Sequence, residues 1–138
     1  MIVLDSSAIV KLVLNERGSY EVMNIVKKAV TEGEEIITID IALSEVLNAL
    51  WKHHVLLKDI DERSFKESVR DLLRIWKYMK KVNTSEVALK AIEIAENYRI
   101  TVYDALYLSV ALLKGAKILT FDERQTEIAR KVGITTYS

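Results

Sequence analysis

Short apolar runs separated by helix-length amphipathic stretches restrict this chain more than any other feature. Clear runs occupy residues 2–4, 35–39 and 116–121, a weak one lies within 78–82, and a last one spans 134–136. Between them, residues 8–14, 19–32, 41–57, 84–98 and 123–132, a stretch opened by Asp61, and the segment around Asp104 carry apolar residues at helical spacing. Single strands separated by helices cannot be hairpins. They require crossovers, and so predict a mainly parallel sheet with helices on both faces. In such a sheet ligands bind beyond the carboxyl ends of the strands. Asp5 and Asp122 each stand just past such an end.

Composition narrows the function classes. The 138 residues are half hydrophobic, enough for one core, and one domain over 1–138 is expected. Without cysteine there is neither a disulfide framework nor a thiolate metal site. The opening MIVLD meets an acid at once, unlike a signal peptide. No apolar run reaches the roughly 20 residues a membrane span needs. The expectation is a soluble, cytoplasmic protein with no membrane partner. A formal net charge of zero speaks against bulk electrostatic binding of DNA. It leaves room for an enzyme that grips a phosphodiester through metal ions.

Four acids stand out by their settings. Asp104 opens a nearly all-apolar helix, Glu45 sits at the edge of the apolar arc formed by Leu43, Val46, Leu47, Leu50 and Trp51, and Asp5 and Asp122 follow strands. Each also has an ordinary role: Asp5 and Asp122 can cap the helices that follow them, Asp104 can pair with Thr101, and Glu45 can reach water. If all four meet, the crowding is costly. Two carboxylates about 4 Å apart repel by roughly 4 kcal/mol at an effective dielectric of about 20. Proteins keep such clusters by protonating a member or binding a cation. An all-oxygen donor set suits Mg²⁺ or Mn²⁺, one or two ions, and such sites serve in-line displacement at phosphorus with water as nucleophile.

The order MIVLDSSAIVKL, SEVLNAL with Glu45, TVYDALYLSVAL with Asp104 and ILTFD with Asp122 resembles the PIN-domain family, most closely its small VapC-type toxin ribonucleases. The resemblance implies a three-layer α/β/α sandwich and divalent-metal-dependent cleavage of RNA. It also implies homodimers and a VapB-like antitoxin partner. Asp5, Glu45 and Asp104 match the family's three most dependable acids, and Asp122 its more variable fourth. Ser6 matches the polar residue after the first acid, and Thr120 the hydroxyl two before the fourth.

Other features carry less. Residues 63–81 hold seven cations against two anions, and Lys66, Arg70, Arg74, Lys77 and Lys81 recur at helical spacing. That stripe is either a track for RNA phosphates or a solvated face opposite Val69, Leu73 and Trp76. Lys11 is a second candidate phosphate contact. His53 and His54 complete no metal spacing and read as boundary residues. Tyr103 and Tyr107 read as core or dimer contacts. An aspartyl-phosphate phosphohydrolase built on Asp5 would usually carry an acid two residues on, where Ser7 stands. A non-catalytic scaffold on the same fold is the other alternative.

Overall fold

The computed structural model describes residues 1–137. Ile2, Val3 and Leu4 are fully buried and form β1 (Ile2–Leu4), the middle strand of a wholly parallel sheet. Its neighbours are β2 (Ile36–Ile39) and β4 (Lys117–Leu119), flanked by β3 (Lys80–Val82) and β5 (Thr136–Tyr137), in the order β3-β2-β1-β4-β5. The register sets Val3 beside Ile37 on one side and Ile118 on the other. β-branched residues buried on both faces are what a covered parallel sheet demands.

From β1 the chain steps outward through β2 to β3, then returns past β1 to β4 and β5. Right-handed crossovers place helices on opposite faces when the direction reverses. Accordingly α1 (Ser6–Val13), α2 (Ser19–Thr31), α3 (Ala42–Trp51) and α4 (Glu62–Tyr78) pack together, while α5 (Thr84–Tyr98), α6 (Val102–Lys114) and α7 (Glu123–Lys131) form the second layer. Every residue of α6 from Ala105 to Ala111 is buried, because that helix lies between the sheet and α5. The reversal leaves a crevice at the carboxyl ends of β1 and β4, the switch point of the sheet.

The weak third strand forms, paired with β2 over Ile37–Ile39. Several local expectations are corrected. The helix expected over 41–57 ends at Trp51 and continues as a π-helical turn, Lys52–Leu56. Asp40, two residues before α3, reads as a cap for that helix, but no side chain caps α3. The Asp40 carboxylate instead accepts from Thr84 N at 2.9 Å and from the Thr84 hydroxyl, across 44 residues of sequence, and so anchors the start of α5. Leu73 faces outward at 47 % exposure, because α4 turns Leu72 to the core instead, and Leu47 and Trp51 of the expected α3 arc are exposed at 37 % and 44 %. Tyr103 and Tyr107 part ways, the first exposed and the second buried. His53 and His54 lie at the boundary, bonded to Asp59 and Glu62, with His54 stacked on Phe65.

Candidate functional site

Asp5 ends β1 and caps α1. Its Oδ1 accepts from Ala8 N at 3.0 Å and from the Ser7 hydroxyl at 2.6 Å, and its Oδ2 accepts from the Thr120 hydroxyl. Asp5 N donates to Leu119 O, which ties the two strand ends together. Only 3 % of Asp5 is exposed. Burial pushes its carboxyl above the usual range and the charge of Asp122 adds to the rise, against the three hydrogen bonds it accepts.

Asp122 follows β4 and caps α7, accepting from Gln125 N at 2.9 Å, while its own N donates to Thr120 Oγ1 at 3.0 Å. Asp104 lies in the first turn of α6, its N donating to Thr101 Oγ1 at 3.2 Å. Burial raises its carboxyl too, with Asp122 the second cause. Glu45 lies in the first turn of α3 and accepts from the buried Tyr107 hydroxyl, with Ser6 beside both. Its carboxyl is raised by burial; the Tyr107 bond opposes this and the charge of Asp104 reinforces it. Tyr107 is itself pushed far up, by burial first and then by Glu45.

The local caps expected of Asp5, Asp104 and Asp122 are therefore real, and they coexist with a larger arrangement. Asp104 acts on Glu45, and Asp122 acts on both Asp104 and Asp5, so the acids form an electrostatically linked row along the switch point. No cation offsets the rise at Glu45 or Asp104. Among the described residues, however, no three carboxylate or imidazole side chains converge closely enough to hold a metal ion by themselves. A cavity of about 270 Å³ opens beside the row, lined by Arg99, Thr101, Asp104, Asp122, Arg124 and Gln125 among others.

Three supporting residues escaped the sequence reading. Ser7 donates to Asp5 and accepts from Phe121 N at 3.0 Å, linking the two strand-end loops. Tyr107 orients Glu45. Gln125, 3 % exposed, donates from Nε2 to Asp104 O at 2.9 Å and sets its Oε1 3.2 Å from Thr120 Oγ1. Thr120 has one hydroxyl proton for two acceptors, and the Asp5 carboxylate is the stronger. The only sequence signal for Gln125 is an amide three residues past Asp122, which reads as a solvated helix position.

The basic candidates sit elsewhere. Lys66 and Arg74 are paired on their own helix with Glu62 and Asp71, while Arg70 and Lys77 are exposed and in no ion pair among the described residues. Lys11 donates to Glu16 and to Arg17 O and lies 4.7 Å over the Phe121 ring.

A parallel α/β/α sandwich with a row of carboxylates along its switch point belongs to the class of open α/β folds that take ligands at the carboxyl ends of their strands. The PIN domain model matches residues 2–131, and this chain belongs to the PIN-domain family. Ribonuclease VapC3 of Pyrobaculum aerophilum is 36 % identical over 128 residues, which cover 91 % of this chain and 92 % of that protein. Two solved structures share the fold. One is VapBC2 of Rickettsia felis bound to a promoter DNA fragment, at a TM-score of 0.69 and 16 % identity, covering 99 % of this chain and 98 % of that one. The other is VapC20 of Mycobacterium tuberculosis, described as a toxin cleaving the sarcin-ricin loop, at 0.67 and 15 %, covering 92 % and 94 %.

Proposed function

We propose that this chain is an endoribonuclease that cleaves RNA phosphodiesters with water as nucleophile and depends on Mg²⁺ or Mn²⁺, one or two ions. The observation that carries the reading is the row Glu45, Asp104, Asp122, Asp5 along the switch point, in which Asp104 raises Glu45 and Asp122 raises Asp104 and Asp5, with no cation to offset Glu45 or Asp104. The naming of a 36 % identical relative as a ribonuclease supports it.

The donor set fits a hard cation: four carboxylates and no softer ligand among the acids of the row. A bound divalent ion supplies charge stabilisation at the phosphoryl oxygens and lowers the pKa of the attacking water. Because no three acids converge, water would complete the shell, in keeping with the reluctance of Mg²⁺ to dehydrate. Ser7, Ala8 N and Thr120 hold the Asp5 carboxylate in one orientation. Tyr107 does the same for Glu45 and covers its inner side. The Ser7 and Thr120 hydroxyls both donate to the Asp5 carboxylate and are used in holding it, which leaves water as the nucleophile of this reading.

The same reading makes the chain the toxin of a VapBC-type pair, inhibited by a VapB-like antitoxin. An apolar groove of about 530 Å³, lined by Val26, Val30, Ile75, Tyr78 and Met79 among others, supports a helical partner. Leu89 and Ile92, exposed on α5, support a homodimer.

The test is cleavage of a panel of structured RNAs by wild-type and Asp5→Asn protein, purified side by side, with and without EDTA. Cleavage that needs the metal and the Asp5 carboxylate supports the reading; equal cleavage by both proteins sinks it. The spread of the acids favours one second reading, a scaffold without catalysis. Failure to bind millimolar Mn²⁺ by calorimetry would select it.

A further inference from the structure

Arg99 occupies a position that its backbone does not favour. It ends α5 in the left-handed region, at φ 53° and ψ 48°. The next helix, α6, ends in that same region on Gly115. A side chain there costs free energy that glycine avoids. Arg99, exposed, is one of the residues lining the cavity shared with Asp104 and Asp122. Arg124 lines it from α7, its Nη2 donating to Tyr98 O at 2.8 Å, which holds the guanidinium at the end of α5. Among the described residues neither arginine is in an ion pair, and neither figures in the balance at the Asp104 carboxyl. The cavity thus carries two arginines on the same lining as Asp104 and Asp122, with Arg124 partly engaged by Tyr98 O and by the charge of Glu127.

We infer that Arg99 and Arg124 form a seat for an RNA phosphate adjoining the candidate cleavage site, on the α5–α6 side rather than along α4. The substrate class rests on the proposed function. A guanidinium offers a planar fork of donors to phosphate oxygens, and only one donor of Arg124 is engaged by the chain. The cations of α4 are less suited, because Lys66 and Arg74 are already paired with acids of their own helix and no residue of α4 lines the cavity that Asp104 and Asp122 share. Arg99 gives the seat its affinity and Arg124 its fixed position.

The test uses the full chain and a short fluorescent single-stranded RNA. Arg99→Gly removes the guanidinium and relieves the backbone, so the melting temperature should hold or rise. Binding in EDTA at low salt should weaken about five- to tenfold, and the slope of log affinity against log salt should fall by about 0.7, the value of one phosphate contact on a single strand. With Mn²⁺ present, KM should rise by a similar factor with kcat within about twofold, and Arg99→Lys should restore part of the loss. An Arg70→Ala, Lys77→Ala double variant should change the slope little. The seat is refuted if Arg99→Gly binds like wild type, or if wild type binds no RNA in EDTA. Wild type that binds RNA through Arg99 but cuts none with Mn²⁺ would refute the nuclease reading while leaving the seat in place.

Discussion

The Tyr107 hydroxyl of α6 donates to the Glu45 carboxylate of α3, joining the two helix layers across 62 residues of sequence. Tyr107 is 2 % exposed and Glu45 is half-buried, so the hydroxyl is shut from water while the carboxylate keeps a wet side. Tyr107→Phe should destabilise the protein by about 0.5–1.5 kcal/mol, the net worth of one hydrogen bond whose acceptor can turn to water. It should also move the Glu45 carboxyl further up, because that bond lowers it in the native protein. Urea denaturation and carboxyl-carbon NMR titration measure the two effects; an unchanged Glu45 titration would contradict the second.

Asp5 has a carboxyl raised by burial. Its contribution to stability is fully present below the ordinary carboxylate pKa of about 4 and is lost as pH rises through the raised native value. Asp5→Asn removes that loss. The variant should therefore gain on wild type as pH rises from about 4 toward 7. Paired thermal melts across that range decide the matter, and a variant that loses ground to wild type as pH rises would reverse the sign. Glu34 and Glu62, held below the usual range first by hydrogen bonds to the chain's amino terminus and to His54, act in the opposite direction in both proteins.

A divalent ion bound by the acid row would stabilise the native state in proportion to occupancy. Mn²⁺ at about a hundredfold over its dissociation constant should contribute about 2.7 kcal/mol. The melting temperature of wild type should rise with Mn²⁺ and that of Asp5→Asn should respond far less. Equal responses would place the ion elsewhere.

Gln125 joins the backbone of Asp104 to the loop that carries Thr120 and Asp122. Gln125→Met keeps its volume and loses its side-chain bonds. Mn²⁺ affinity should fall about tenfold or more, the usual result of removing a residue that orients ligands. Amide exchange should quicken around Phe121 and at the start of α6 while β1 stays protected. Calorimetry and hydrogen exchange read these separately, and uniform acceleration would mean general destabilisation instead.

Much of the fold was legible because its causes are local. Alternating apolar runs act within a few residues, and five strands form at or within two residues of them. The acids were legible one at a time for the same reason, since strand ends and first turns are local positions. The boundaries of α3 and the outward turn of Leu47, Trp51 and Leu73 were not, because neighbouring helices choose which part of an apolar arc is covered.

What the sequence by itself determined is the alternation of strands and helices and the seat of each acid at an element's end, since periodicity and capping are short-range. Only the tertiary structure decided that Asp40 serves α5, that Tyr107 serves Glu45, that Gln125 ties Asp104 to Asp122, and that Arg99 lines their cavity. These pairings depend on strand order and helix docking, which arise from burial summed over the whole chain rather than from any one stretch of it.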